Sequence, residues 1–190
     1  MNKKDKFELS YEKTLLIVDD ERPIIDALQR LFRKEGYKIL TSTSGRRASE
    51  ILMHEDVGVV LTDQRMPEMT GVELLKVARE ISPDTTRLVL SGYTDYNDLR
   101  SVINSGFAFK FIEKPWDDKL LLEIVKDAFE VYERELISNQ FAEVFSNAQE
   151  GILIANEDWR IQSVNPAFLA ITGWNKSEVS NARFDLEESS

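Results

Sequence analysis

Acidic, hydroxyl and basic residues stand at the ends of apolar runs in this sequence. Asp19 ends the run TLLIVD, with Asp20 next to it, and Asp63 ends the run VGVVLTD. Ser91 and Lys114 lie at the ends of two later runs, RLVLSG and FAFKFIEK. Because the carboxyl ends of parallel strands meet at one edge of a sheet, we expect these side chains to lie close together.

The residue types in this group predict phosphoryl transfer. Carboxylates at close range repel one another unless a proton or a cation neutralises them, and an oxygen-only cluster suits Mg2+, with Mn2+ as the alternative. A lysine ammonium and a serine hydroxyl are groups that stabilise a transferring phosphoryl group. We therefore predict that the Asp63 carboxylate attacks phosphorus to give an aspartyl phosphate, with Lys114 and Ser91 as the assisting catalytic residues.

Each of these residues alone has a simpler interpretation. An aspartate at a strand end is more often a helix cap or a turn former than a nucleophile. Lys114 could be a surface lysine before a proline, and Ser91 could be a turn residue. The combination at successive strand ends favours the chemical interpretation.

Five apolar runs alternate with segments whose apolar residues recur three and four positions apart, which predicts alternating strands and helices. The runs cover residues 14–19, 37–42, 57–63, 87–92 and 107–114. Right-handed crossovers then give a parallel sheet with helices on both faces. The predicted fold class is α/β: a flavodoxin-like, doubly wound, five-stranded parallel sheet of strand order 2-1-3-4-5.

Composition restricts the class of partner and compartment. The net charge of -10 argues against general affinity for nucleic acid or anionic membranes. The absence of cysteine excludes disulfides, thiolate nucleophiles and cysteine metal sites. The start MNKKDKFELSYEK lacks the apolar core of a signal peptide, and no run approaches a membrane span, so we predict a cytoplasmic protein.

A long helix is predicted from Trp116 onward. One apolar stripe is followed by a second that is one residue out of phase; they consist of Leu122, Val125, Phe129, Tyr132 and Leu136, then Ile137, Phe141, Val144 and Ala148. The phase slip around ISNQ, residues 137–140, predicts a kink, a stutter or a break between two helices. The first stripe packs on the sheet, whereas the second requires another partner, for which a helical homodimer seam is one alternative.

Beyond Glu150, two short strand-like runs flank the polar turn EDW, which predicts a hairpin. The segment NPAFLAITGW predicts a short helix with Asn165 as its cap, Pro166 at its first position and Gly173 at its end. About 40 residues of this kind bury too little surface to form a core alone. We expect either a fragment of a longer protein or packing against another subunit.

The motifs LLIVDDE, LTDQRMPEMTG, LSGYTD and FIEKPW, in this order, resemble the receiver domain of bacterial response regulators over about Thr14 to Tyr132. The resemblance implies that Asp63 accepts a phosphoryl group from a histidine kinase or phosphotransfer protein in a two-component phosphorelay. It also implies metal ligation by Asp20 directly, by Asp19 through water, by Asp63, and by the backbone carbonyl of Arg65.

The same resemblance implies two further roles. Lys114 would contact the phosphoryl group, Ser91 would move to bond it, and Phe111 would follow Ser91 inward as the aromatic switch residue. Because Phe111 has no hydroxyl to keep in water, we expect an inward, buried rotamer to be less costly than for tyrosine. Arg65 and Tyr93 would flank the route of the hydrolytic water, and their bulk predicts slow loss of the phosphoryl group.

The segment from Phe141 to Trp174 resembles the opening of a PAS domain whose later helices and strands are missing. The predicted organisation is an N-terminal extension (1–13), a receiver domain (14–132), a helical linker (133–149) and a partial PAS domain (150–190). Phosphorylation would then control the PAS domain or a later output module, with a homodimer through the long helix and the PAS segment as a candidate assembly. The protein is expected to modify itself rather than to act as a metabolic enzyme.

Two other functions remain as alternatives. A Mg2+-dependent phosphohydrolase similar to haloacid-dehalogenase-like enzymes would use the same aspartate nucleophile, but those enzymes require a second acid two residues later, where this chain has Arg65. A scaffold whose acidic pocket is no longer phosphorylated is the third candidate, although Asp19, Asp20, Asp63, Ser91 and Lys114 are all in place.

Overall fold

Five parallel strands form the central sheet, in the order 2-1-3-4-5 along the chain numbering. The computed structural model describes residues 11–92 and 108–179. The strands of this sheet are β1 (Thr14–Val18), β2 (Lys38–Ser42), β3 (Val59–Asp63), β4 (Thr86–Ser91) and β5 (Lys110–Glu113). The helices around it are α1 (Arg22–Phe32), α2 (Gly45–His54), α3 (Gly71–Ile81) and α4 (Asp118–Asn147). The predicted α/β fold class and strand order are confirmed.

The strand register brings the ends of the strands to one edge of the sheet. Val18 of β1 pairs with Thr62 of β3, Asp63 pairs with Leu90 of β4, and Ser91 pairs with Glu113 of β5. The residues that follow the pairs therefore emerge side by side. This register explains how side chains far apart in the sequence come together at the carboxyl edge.

Alternate residues of the strands pack into two separate hydrophobic cores, because successive side chains of a strand point to opposite faces of the sheet. Leu15 and Ile17 face α1 and α4, where they lie in a cluster with Phe32 and Phe129. Leu16 and Val18 face α2 and α3, in a cluster with Leu52, Leu74 and Leu75. The sheet is thus covered on both faces, which leaves the ends of its strands as the accessible part.

The chain divides into two compact units after Glu135, which is near the predicted end of the first domain at residue 132. The helix α4 runs through this division as one helix of 30 residues. A break between two helices around residues 137–140, one of the alternatives from the phase slip, is therefore wrong. No helix in residues 11–92 and 108–179 is long and apolar enough to span a membrane.

The second unit contains the antiparallel hairpin of β6 (Leu153–Ala155) and β7 (Ile161–Val164), followed by α5 (Pro166–Thr172) and α6 (Lys176–Val179). The predicted Asn165 cap is confirmed, since its Oδ1 accepts from the Phe168 backbone N–H at 2.9 Å. Gly173 ends α5 with φ of 75°. This is the left-handed conformation that favours glycine at a helix end.

Asn165 does more than cap a helix. Its Oδ1 also accepts from the Ile152 N–H at 2.8 Å, and its Nδ2 donates to the Glu150 carbonyl at 2.8 Å and, more weakly, to the Ala148 carbonyl at 3.5 Å. The residue is fully buried. One side chain therefore connects the segment after α4, the start of the hairpin and the helix α5.

Replacing Asn165 with alanine is expected to destabilise the second unit by about 2–4 kcal/mol, because buried backbone groups would lose their partners without gaining water. Asn156→Ala is the matched control. Asn156 accepts from the Asp158 and Arg160 N–H groups in the exposed hairpin turn, where water can replace it, so the expected cost is about 1 kcal/mol. Thermal unfolding of the full chain measures both, and equal losses would contradict the role of burial.

Candidate functional site

The loop after β3 holds Asp63 at the edge of the sheet. The Gly71 N–H donates to the Gln64 carbonyl at 3.0 Å, which closes the loop into a compact turn. The next helix begins at once, because Thr70 and Glu73 form a capping box in which each side chain bonds the other's backbone N–H. A Cβ at Gly71 would overlap the Asp63 carbonyl oxygen, so only glycine permits this close approach.

Lys114 joins two carboxylates at the centre of this edge. Its Nζ lies 2.5 Å from Asp63 Oδ1 and 3.0 Å from Asp19 Oδ2. The other carboxylate oxygens accept backbone N–H groups: Asp63 Oδ2 from Arg65 at 2.6 Å, and Asp19 Oδ1 from Glu21 at 2.9 Å. Three of the predicted site residues are thus brought together by direct contacts.

The charges of this group interact strongly because the side chains are largely withdrawn from water. The Asp19 side chain is 1% exposed, the Asp63 side chain 10% and the Lys114 side chain 24%. Burial raises the pKa of Asp19 above its ordinary value, although Lys114 and the Glu21 N–H act in the opposite direction. Burial lowers the pKa of Lys114, but its hydrogen bonds to Asp63 and Asp19 outweigh this and raise the pKa overall.

Asp20 does not join this group. It is exposed, whereas Asp19 is buried. Among the residues that the structure describes, no three acidic or histidine side chains are arranged to hold a metal ion together. The sequence predicts that a divalent ion neutralises three carboxylates, whereas in the structure the Lys114 ammonium lies between the two that are buried.

The donor atoms at this edge nevertheless suit a hard cation. Mg2+ binds through one or two carboxylates and keeps several waters, so Asp19 and Asp63 are a sufficient protein contribution. Their oxygens already lie within reach of a single cationic group, Lys114. Asp20 directly follows Asp19 and faces solvent, where it could act as a further ligand.

The remaining predicted residues occupy the surroundings of this group. The Ser91 hydroxyl donates to the Gly92 carbonyl at 3.1 Å rather than to Asp63. Phe111 is half-buried and packs against the core beneath α2 and α3. The backbone of Arg65 contacts Asp63, as described above. Tyr93 lies outside the described residues.

Two contributors to the site were missed by the sequence argument. The Glu21 N–H orients Asp19, and Gln64 fixes the loop, since its Oε1 accepts from the Val72 N–H at 3.2 Å. A backbone donor has no residue signature, so the first could not be inferred from residue types. The second had a weak signal, because Gln64 directly follows the candidate nucleophile.

Replacing Asp19 with asparagine is expected to stabilise the metal-free protein at neutral pH by about 1 kcal/mol, since a buried charge is removed from a functional site. Asp19 has a higher pKa in the folded protein than in the unfolded chain, where it is 3.8. This difference stabilises the folded protein at pH values below 3.8, and the stabilisation is lost as the pH rises through the pKa of the folded state. The advantage of the variant should therefore grow from acid to neutral pH. Thermal unfolding in EDTA measures it, and Asp26→Asn on the surface of α1 should show no such gain.

Added Mg2+ should make the wild type more stable than Asp19→Asn. A ligand that binds only the folded state raises its unfolding temperature, so the wild type should gain stability with Mg2+ concentration and Asp19→Asn should gain less. An unresponsive wild type, or a variant that is less stable than the wild type in EDTA at neutral pH, would contradict this view of the site.

Comparison with known proteins agrees with this geometry. The family model described as response regulator receiver domain matches residues 15–126, and a PAS domain model matches residues 139–189. The chain is similar to the hydrogenase transcriptional regulatory protein HoxA of Cupriavidus necator, with 42% identity over 63% of this chain and 24% of that protein. It is also similar to the response regulator SaeR of Staphylococcus epidermidis, with 33% identity over 57% of this chain and 46% of that protein.

A solved structure gives the same result for the fold. The signal receiver domain of an HD domain-containing protein from Pseudomonas fluorescens Pf-5 superimposes with a TM-score of 0.62 and 29% identity, covering 65% of this chain and 99% of that chain. The chain spans less than half the length of the two curated relatives. The predicted architecture is confirmed: the chain belongs to the response regulator receiver domain family, with a PAS domain following the receiver.

Proposed function

We propose that Asp63 accepts a phosphoryl group from the phosphohistidine of a histidine kinase or phosphotransfer protein. The observation that carries this proposal is the single ammonium group of Lys114 shared between Asp63 and Asp19. It places a cation beside the candidate nucleophile, where the oxygens of an incoming phosphoryl group would lie. Receivers are signalling proteins, and the role of this chain is regulation rather than metabolism.

The reaction requires little covalent chemistry from the protein. A carboxylate oxygen of Asp63 forms a bond to phosphorus while the bond between phosphorus and the donor imidazole nitrogen breaks, and that nitrogen keeps the electron pair. The Lys114 ammonium stabilises the negative charge on the phosphoryl oxygens. Asp63 stays in position because the Arg65 N–H and the closed loop hold it.

The divalent ion of this family, Mg2+ or Mn2+, would be held by Asp63, by Asp20 directly, by Asp19 through water, and by the backbone carbonyl of Arg65. When bound, it supplies additional positive charge against the phosphoryl oxygens. The chain's own contribution is to orient two carboxylates at one strand edge. Once the phosphoryl group occupies Asp63, Lys114 would pair with it instead of with the free carboxylate.

Ser91 and Phe111 are the proposed switch residues. The Ser91 hydroxyl now bonds the neighbouring Gly92 carbonyl and would exchange this partner for a phosphoryl oxygen. Phe111 begins half-buried, so a small displacement would change its contacts with the core. Arg65 and Tyr93 are proposed to restrict the entry of the hydrolytic water and so to prolong the phosphorylated state.

The receiver is proposed to act in the cytoplasm and to control the PAS segment or a later output module. The net charge of -10 makes contact with nucleic acid or anionic membranes by this chain unfavourable. Two named relatives are a transcriptional regulatory protein and a response regulator, and both are longer than this chain.

Incubation of the full chain with acetyl phosphate and Mg2+ should add the mass of one phosphoryl group, and Asp63→Asn should abolish the adduct, because an amide is a poor nucleophile. Asp84→Asn, at the opposite edge of the sheet, is the matched control and should be phosphorylated like the wild type. Turnover of many acetyl phosphate molecules would favour the phosphohydrolase. Neither an adduct nor turnover would favour the scaffold.

We also propose that two copies associate through the second half of α4. Ile137, Phe141 and Val144 are 52%, 56% and 68% exposed, and together with Ala148 they recur at steps of four, three and four. This is the spacing of a coiled-coil seam. Residues 136–148 carry one charge, Glu143, so two copies of an otherwise acidic protein could meet there with little repulsion.

Replacing Phe141 with glutamate should weaken this dimer at least about tenfold, because a charge would enter an apolar seam. Met53→Glu is the control, since Met53 is 58% exposed on α2 and lies far from the seam in sequence. Sedimentation equilibrium over a range of concentrations measures both variants. A monomeric wild type, or a dimer that tolerates Phe141→Glu, would overturn the proposal.

A further inference from the structure

We infer that the contacts of Tyr11 and Lys13 with Glu133, here called the clamp, fix the last turn of α4 within the first unit. The clamp lies at the amino edge of the sheet, opposite the candidate phosphorylation site. Its proposed role is to determine how phosphorylation at Asp63 changes the part of α4 that follows Glu133. That part of the inference rests on the proposed phosphorylation, whereas the clamp itself does not.

The clamp converges on one carboxylate oxygen. Glu133 Oε1 accepts a hydrogen bond from the Tyr11 hydroxyl at 2.5 Å and lies 2.7 Å from Lys13 Nζ. The same two residues also contact rings of α4. Tyr11 meets Tyr132 edge to face, with centroids 5.6 Å apart, and the Lys13 ammonium lies 5.8 Å from the centroid of Phe129.

Partial burial strengthens these contacts. The Glu133 side chain is 33% exposed and that of Lys13 is 42% exposed, while Tyr132 and Phe129 are buried. A hydrogen bond to a charged acceptor is stronger than one between neutral groups. Burial, followed by the hydrogen bond to Glu133, raises the pKa of the Tyr11 hydroxyl well above its ordinary value.

The position of the clamp distinguishes it from the receiver core. The receiver family model covers residues 15–126, so Tyr11, Lys13 and Glu133 all lie outside it, on both sides. Glu133 is also two residues before the division between the two units. From Ile137 to Val144 every side chain of α4 is exposed. The clamp therefore acts where the packing of α4 against the sheet ends.

A fully buried strand connects the clamp to the site. Lys13 directly precedes β1, all five residues of β1 are buried, and Asp19 follows its last residue. Strand residues packed on both faces move together rather than independently. A displacement of β1 caused by a change at the carboxyl edge would thus also displace Lys13 and its partner Glu133. Through Glu133 the displacement would affect the exposed half of α4.

Hydrogen–deuterium exchange of the full chain tests the clamp. The double variant Tyr11→Phe/Lys13→Met removes the hydroxyl and the ammonium that contact Glu133 Oε1 but keeps a ring and an aliphatic stem. Amides of residues 129–147 should exchange about fivefold faster than in the wild type, while those of β3 remain unchanged. If the double variant does not fold, Tyr11→Phe alone should show a smaller acceleration in the same residues.

Lys38→Met is the matched control. Lys38 pairs with Glu12 and Glu55 at the same edge of the sheet, each at 3.3 Å, and both partners lie outside α4. Its loss should leave residues 129–147 at the wild-type rate. Unchanged exchange in the double variant, or equal acceleration in Lys38→Met, would overturn the clamp.

The signalling role has a separate readout. The double variant should form the Asp63 adduct at the wild-type rate, but the change in exchange that phosphorylation causes in residues 136–147 should be at least halved. If the wild type forms no adduct, the proposed function fails while the exchange comparison still decides the clamp. An adduct with an undiminished response in the variant would overturn the coupling.

Discussion

One ammonium group bonded to two carboxylates is the interaction on which the receiver site depends. Asp19 and Asp63 end neighbouring strands, and the parallel register leaves them side by side with little access to water. Two buried negative charges would repel each other, so the arrangement requires a cation. Lys114 supplies it from the end of β5, and this requirement explains why the first, third and fifth strands must all terminate at the same edge.

The fold could be predicted from the sequence because the apolar runs and the helical spacing agree with each other. Asp63 and Lys114 could be predicted because each stands at the carboxyl end of a strand-like run. Their proximity to Asp19 was also predictable, but the direct contact of the Lys114 ammonium with both carboxylates was not, because it depends on the strand register and the side-chain rotamers. Asp20 shows the same restriction: residue type placed it with Asp19, but the chain turns it to solvent.

Several contacts at the two ends of the receiver could not be predicted from sequence patterns. Tyr11 and Lys13 were assigned to an extension, because a polar segment has no periodicity that links it to a helix more than a hundred residues later. Asn165 was recognised as a helix cap, yet its bonds to Glu150 and Ile152 depend on the hairpin folding back onto it. The phase slip in α4 was real, but it did not break the helix. Local propensity sets an element, whereas tertiary contacts decide what else it binds.

The continuity of α4 has a geometric consequence. A helix turns by about 100° per residue, so a single residue inserted after Glu133 would rotate the following residues of α4 by that angle about the helix axis. Seven inserted residues would complete nearly two turns and restore the phase to within about 20°. Insertions in steps of a heptad would therefore keep the apolar positions of the second half of α4 on one face of the helix, whereas a single inserted residue would move them off it.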